Sequence, residues 1–375
     1  MGSCRRGYFR LVKASVWGVT SPIGIRKMKI EEMKIAVYGA GAMGTVLGAL
    51  LTKGGLKVDL ITRNRAHVEG MKKKGATIVC EGDGKEERIS VNAILPSEMD
   101  ACYDLIFLMT KQRHNREILT DLLPYLKEDG IVCTTQNGLP EPSVADVIGA
   151  SRTYGAATSF GATFIGEGTV ALTSKLEGMS MEVGGYQNDG VKTELLKEVL
   201  SYAGKAIGKD NFVKEGDLMG ARWSKLAINA AFSGLSVTTG LTFGEVAKKH
   251  KTRKLALGIL RECMAVAKAS GVTLAKMQGH DMEKMLGGNG PLKRFTAYMV
   301  LPFAMKKHKK LRSGMLMDVQ NGRRCEIDFI NGVVVKEGYK VGVETPLCSQ
   351  LVEIVHGIED GLYETDYKNV DFFEI

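Results

Sequence analysis

The chain has 375 residues, 44% of them hydrophobic and 25% charged. That length suggests two domains of ordinary globular composition and argues against a largely disordered chain. No window approaches the roughly 20 apolar residues that a membrane-spanning helix needs, so no membrane partner is expected. The formal net charge is +9, but residues 1–32 hold seven Lys/Arg against only Glu31 and Glu32, which leaves +4 for the rest. So small a balance is weak ground for nucleic-acid binding and fits a site that attracts small anions. The seven cysteines are odd in number, scattered and without a CxxC pair. They read as free thiols in a reducing compartment, not a disulfide frame or zinc site, and the expected location is cytoplasmic.

Residues 1–32 form a basic extension whose apolar stretch, 14–25, is broken by Gly18, Pro22 and Gly24. It makes a poor secretory core. A targeting segment remains one reading; an upstream extension before a second start at Met33 is the favoured one.

From Met33 the pattern is that of an α/β domain. Lys34-Ile35-Ala36-Val37-Tyr38 reads as a buried parallel strand. Gly39-Ala40-Gly41-Ala42-Met43-Gly44 follows, then an apolar helix through Leu51 and a second strand over 57–62. Strand, GxGxxG, helix and strand within about 30 residues is the context that the dinucleotide-binding fingerprint requires. Gly39 allows the tight turn, Gly41 lets a pyrophosphate approach the backbone, and Gly44 lets the helix pack on the sheet. The second strand ends Ile61-Thr62-Arg63-Asn64-Arg65 with no acid to bond a ribose 2′-hydroxyl. Guanidinium groups there suit a 2′-phosphate, which favours NADP(H) over NAD. Asp59 lies too early in the strand to be a strong rival.

Two later strands, 103–110 and 131–135, run into Lys111 and into Gln136-Asn137-Gly138. Ligands lie beyond the carboxyl ends of parallel strands, which places Lys111 and Asn137 at the cofactor crevice. Asn-Gly is also a turn pair, so Asn137 stays open between turn and site. Residues 163–172 read as two short strands around a Gly-Glu-Gly turn and 179–183 as another, all extending the same sheet. The dinucleotide-binding domain thus spans 33–215.

Residues 216–375 read as a helical substrate and catalytic domain, with apolar periodicity over 217–233, 243–270, 273–286, 292–311, 325–338 and 346–358. A cleft between the two domains is the favoured place for a substrate. The helix around Lys225 is apolar on most sides, yet Lys225, Asn229 and Ser233 share one face at i, i+4 and i+8. Either this is a polar stripe lining the cleft, or the lysine lays its stem along the surface with its ammonium in water. Glu326 and Asp328 sit in another apolar stretch and need a partner if buried; Lys225 is a candidate. The run 306–310 with Arg312 reads as a solvated helix end. None of the six histidines has metal spacing, and no metal is expected.

In order along the chain, these residues resemble the ketopantoate reductase family (2-dehydropantoate 2-reductase). The resemblance rests on the GxGxxG of 39–44, Arg63, Thr110-Lys111, Gln136-Asn137-Gly138 and Trp223-Ser224-Lys225-Leu226-Ala227-Ile228-Asn229. It continues through Ser313-Gly314-Met315-Leu316 with Asp318 to Glu326-Ile327-Asp328-Phe329-Ile330-Asn331-Gly332. It implies an N-terminal Rossmann domain, an all-α C-terminal domain, and hydride delivery from NADPH to C2 of ketopantoate, giving (R)-pantoate for coenzyme A synthesis. Lys225 matches the family's general acid. Glu326 matches the acid that meets the nicotinamide ribose and holds the lysine's geometry. Asn137 matches the residue that orients the lysine beside the cofactor, Lys111 a cofactor-side lysine, and Asn229 a substrate amide. Two positions depart. Ser233 stands where the family has a second substrate asparagine, and Gly314 where it has a serine, with Ser313 adjacent. Both lie on the substrate side. Alternatives are a paralogue that reduces another small 2-keto acid and a catalytically silent NADPH-binding protein. The expected partner is a small anionic 2-keto acid; a homodimer is an open expectation.

Overall fold

The computed structural model describes residues 30–81, 84–187, 190–214, 216–277, 279–288 and 290–374. The segment 1–29, with both readings of it, lies outside them. The first strand, β1 (Ile35–Tyr38), leads into α1 (Ala42–Lys53), β2 (Val58–Ile61) and α2 (Arg65–Lys74). Then come β3 (Ala76–Cys80), β4 (Glu86–Ile89), β5 (Asn92–Ile94), β6 (Tyr103–Leu108) and α3 (Asn115–Leu122). β7 (Leu126–Thr134), α4 (Glu141–Ile148), β8 (Thr153–Thr158), β9 (Ala162–Gly166) and β10 (Thr169–Leu172) continue the chain. β11 (Met181–Gly185), α5 (Thr193–Ala206) and β12 (Val213–Lys214) complete this half.

Eight strands form one sheet in the order β12-β11-β8-β7-β6-β1-β2-β5. The run from β8 to β5 is parallel, and β11 pairs antiparallel with β8. β6 is buried along its whole length, as expected for a strand covered on both faces. Val46, Leu47 and Leu51 of α1 share one apolar layer with Leu196 and Leu200 of α5. Ile118 and Leu119 of α3 join Val144 of α4 in the other. This is a doubly wound Rossmann-type arrangement. The strand order reverses at β1, between β2 on one side and β6 on the other, and such a switch point opens a crevice.

β9 and β10 do not extend this sheet. They form a separate one with the order β4-β3-β10-β9, in which β10 runs parallel to β3 from Thr169↔Thr77 to Leu172↔Cys80. The Gly-Glu-Gly turn decides the pairing. Gly168 N donates to His67 Nδ1 at 2.9 Å, and His67 Nε2 meets Thr45 Oγ1 at 2.9 Å. One buried ring therefore ties the turn to α2 and α1. Alternation along a strand records a half-buried face, not the strand it pairs with.

The second half is helical: α6 (Leu218–Thr239), α7 (Phe243–Lys248), α8 (His250–Ala269), α9 (Met282–Leu286) and α10 (Pro291–Ala304). α11 (Gly314–Gln320), α12 (Ile327–Val341) and α13 (Pro346–Glu359) follow. Among the described residues beyond 216 the only β pairing is an isolated bridge, Met277 to His280. The span 243–270 is two helices, because extended backbone at Lys249 ends α7 and starts α8; both bury apolar residues, so the spacing runs on across the break. The span 273–286 is α-helical only at its end, and α10 stops at Ala304. α11 was not expected, and Ser313 caps it. α6 is the axis of this half. Asp217 caps its start by accepting from Met219 N and Gly220 N at 3.1 Å, worth about 1 kcal/mol. Gly240, at φ +73°, ends it in the left-handed conformation. Trp223, Leu226, Ala230 and Leu235 anchor α6 in a core shared with α8 and α13. Cys102, Cys133, Cys263, Cys325 and Cys348 are free thiols.

Burial lowers the pKa of His67 from its ordinary 6.5. The unfolded chain therefore binds a proton near pH 6.5 that the fold resists, and stability falls as pH drops through that value. Thermal melts at about pH 7.5 and about pH 5.5 should show a larger loss of Tm for the natural chain than for His67→Gln. Equal losses would mean that the ring does not sense acidification.

Candidate active site

The loop from β1 into α1 is shaped by its neighbours. Gly39 has φ +97°, and a Cβ there would lie 2.7 Å from Met109 C and Thr110 N. Any side chain would push against the end of β6. Gly39 N and Ala40 N both donate to Ile61 O at 2.9 Å, which draws the loop onto the end of β2. A Cβ on Gly44 would be 2.5 Å from Gly39 O, so α1 can start this close only with glycine. At Gly41 the case is opposite: a Cβ would meet nothing nearer than Gly39 O at 4.0 Å. Its space is open toward the cleft. Ala42, Met43 and Gly44 form the first turn of α1, whose amides have no partners within the helix and lie at its positive end. An open glycine cradle at a helix N-terminus fits a dinucleotide pyrophosphate.

A cleft of about 570 Å³ lies at this switch point. Tyr38, Gly39, Gly41, Arg63, Thr110 and Lys111 line it from the sheet domain; Arg323, Arg324, Cys325 and Glu326 line it from the helical domain. Arg63 is exposed and makes no ion pair with a described residue, so its guanidinium is available to an anion. Its charge works against burial, which raises the Tyr38 hydroxyl. Asp59 is engaged elsewhere, accepting from Tyr103 OH and Asn92 Nδ2 at 2.7 Å each. Lys111 Nζ bridges Asp318 at 2.9 Å and Glu326 at 3.1 Å. Burial opposes its charge, but these two carboxylates outweigh it and raise the pKa. Lys111 thereby links β6 to α11 and to the start of α12.

At the end of β7, Gln136 exchanges amide hydrogen bonds with Asn115 at 2.7 and 3.1 Å and donates to Thr110 O at 2.8 Å. Asn137 comes next. Its carbonyl accepts from the Gln112 amide, its side chain is exposed, and Gly138 turns at φ +77° with no room for a Cβ against the Phe329 carbonyl. The Asn-Gly pair is thus a turn, and that turn stands at the carboxyl end of a central strand.

Lys225 lies farther along the same edge. Its ammonium donates to Thr158 O and Thr158 Oγ1, both at 2.9 Å. Thr158 ends β8, two strands from β6, or about 10 Å at ordinary strand spacing. Burial pushes the Lys225 pKa down to about 7, and the nearby Arg222 guanidinium adds to this. The lysine is therefore held against the sheet domain, not extended into water. Asn229 is partly exposed on the same face one turn on, and Ser233 is buried. Neither carboxylate suggested for Lys225 pairs with it. Glu326 holds Lys111 and accepts from Gln112 N at 3.3 Å; exposed Asp328 pairs with His356 at 2.9 Å. Ser313 is buried, and its hydroxyl accepts from Met315 N at 3.1 Å as the cap of α11. Gly314 beside it is exposed, with open space where a side chain would stand.

The sequence reading quoted Gln136 and Asp318 within its motifs without giving either a role, and it missed Thr158 and the buried pair Arg222–Glu141. Arg222 carried a signal: an arginine one turn before Lys225, on a helix apolar on most sides.

Comparison with known proteins gives the family. Residues 35–185 match the family described as "Ketopantoate reductase PanE/ApbA", and residues 217–359 match its C-terminal counterpart. The chain belongs to the ketopantoate reductase family. A 2-dehydropantoate 2-reductase of Archaeoglobus fulgidus is 25% identical over 89% of this chain and 100% of its own. That of Lactococcus lactis is 27% identical over 88% and 98%. Among solved structures, a D-mandelate dehydrogenase with NADH and anilino(oxo)acetate is 28% identical, with a TM-score of 0.73 over 88% of this chain and 99% of that one. A family member from Ralstonia eutropha JMP134, 24% identical with a TM-score of 0.71, shares the fold.

The open space at Gly41 carries a prediction for this ketopantoate reductase family member. Gly41→Val fills the cradle without touching the core. Fluorescence titration should show NADPH affinity reduced by about 100-fold or more, with Tm nearly unchanged. Retained affinity would place the pyrophosphate elsewhere.

Proposed function

We propose that the protein reduces a small 2-keto acid with NADPH, Lys225 being the proton donor and ketopantoate the first substrate to test. Family membership makes the chain an oxidoreductase. The observation that carries the rest is the Lys225 ammonium, held on Thr158 at the carboxyl edge of the sheet with a pKa near 7. A general acid works best when its pKa lies near the working pH.

When bound, NADPH supplies the hydride. Arg63, which makes no ion pair with a described residue, supports a 2′-phosphate and hence NADPH over NADH. Gly41 and the first turn of α1 receive the pyrophosphate. Asn137 and Asn229, on the two sides of the gap, orient the substrate, and its carboxylate meets a cation-rich cleft. Lys225 donates a proton from Nζ to the carbonyl oxygen as charge develops there, which removes the cost of a free alkoxide. Lys111 keeps Glu326 in place by ion pairing. A second reading, a related 2-keto acid, is favoured by the likeness to D-mandelate dehydrogenase and by the departures at Ser233 and Gly314, which change the substrate side alone.

Lys225→Ala should bind NADPH normally and lose about 100-fold or more in kcat; surviving turnover would remove the general-acid role. Because reduction needs the charged lysine, kcat/KM should decline above about pH 7, while oxidation of the hydroxy acid should rise over the same range. Assaying ketopantoate beside phenylglyoxylate and other 2-keto acids settles the substrate: activity on another acid alone overturns ketopantoate. Arg63→Ala should weaken NADPH by about 10-fold or more and leave NADH unchanged.

A further inference from the structure

We propose that the buried Arg222–Glu141 pair is a positioning element of the catalytic machinery, holding α6 against the end of β7 so that Lys225 meets the substrate carbonyl. This rests on the reading of Lys225 as proton donor.

Arg222 is 1% exposed and Glu141 0%. The Arg222 Nε and Nη2 groups lie 2.8 and 2.7 Å from Glu141 Oε1. Nη1 donates to Gln136 O at 2.6 Å and Nη2 to Thr134 O at 2.8 Å. One guanidinium therefore joins α6 to α4 and to both carbonyls flanking the end of β7. It bonds the peptide group just before Asn137 and stands one turn ahead of Lys225, on a neighbouring position of the same helix. The two functional residues thus share a single rigid anchor. Space is reserved for it: a Cβ on Gly155 of β8 would collide with Glu141 Oε1.

Stability alone is a poor reason to keep such a pair, since a packed apolar pair of similar volume is often as stable or more so. Glu141 Oε2 is buried without a hydrogen-bond partner among the described residues, a further cost that an apolar side chain would avoid. What an apolar pair could not supply is a fixed cation near Lys225. As the carbonyl oxygen takes its proton, an N–H bond of Lys225 breaks, an O–H bond forms, and the ammonium becomes a neutral amine. A fixed neighbouring cation favours that loss of charge.

The test is the double variant Arg222→Met/Glu141→Leu, which leaves no buried charge unpaired. The cofactor cleft is lined by other residues, so Tm and NADPH affinity should stay near those of the natural chain. Turnover should fall by about 10- to 100-fold, as expected for a proton donor displaced by about an ångström. The alkaline limb of kcat/KM should also move up by about half a pH unit or more, because the neighbouring cation is gone. If the double variant does not fold, Glu141→Gln keeps the shape and leaves the Arg222 charge uncompensated. The limb should then move to lower pH, which a merely structural role would not produce. Unchanged turnover with an unchanged limb overturns the proposal. Lys225→Ala measured in parallel separates the two failures. If that variant stays active, the donor assignment is wrong. If it is inactive while the double variant behaves like the natural chain, the pair is scaffolding and only the positioning proposal falls.

Discussion

A single guanidinium, fully withdrawn from water, joins the two halves of this molecule. A buried arginine needs a counter-charge and a partner for each donor, and Arg222 finds these on α4 and at the end of β7. That requirement sets where α6 can lie, because few other placements would satisfy the charge. Once α6 is placed, the polar face of an otherwise buried helix must look along the carboxyl edge of the sheet. Lys225 then reaches Thr158, while Trp223, Leu226 and Ala230 turn into the helical core.

The carboxyl edge can be followed strand by strand. Arg63 stands at β2, the glycine loop at β1, Lys111 at β6, Asn137 at β7, and Lys225 comes down onto β8 from the other domain. An elongated anion bound at the switch point would run along this row. The cations along the row are held differently. Lys111 is neutralised by Asp318 and Glu326, and Arg323 and Arg324 also have acidic partners. Lys225 has only neutral oxygens as partners, and burial together with the Arg222 charge lowers its pKa.

Several features were legible because they are local. The GxGxxG loop, its flanking strands and the missing acid after β2 all fall within about 30 residues, and each has a steric or electrostatic reason that short-range sequence can carry. The stripe of Lys225, Asn229 and Ser233 was visible because helical periodicity puts i, i+4 and i+8 on one face. Boundaries were less legible where two buried helices meet without a polar break, as at Lys249. The small sheet was misassigned because strand pairing depends on a buried histidine and a glycine turn brought together from 101 positions apart.

Residue order by itself determined the class of fold, the cofactor-binding loop, the charge at the end of β2 and the lysine-bearing face of α6. Each depends on neighbours along the chain or on one helical repeat. Tertiary structure alone decided that Lys225 rests on Thr158 and not on Glu326, that Glu326 serves Lys111, that Ser313 is a helix cap, and that Arg222 reaches across to Glu141. These are choices among several chemically equivalent partners. Only the placement of one domain against the other, set by packing and by the need to satisfy buried charge, selects among them.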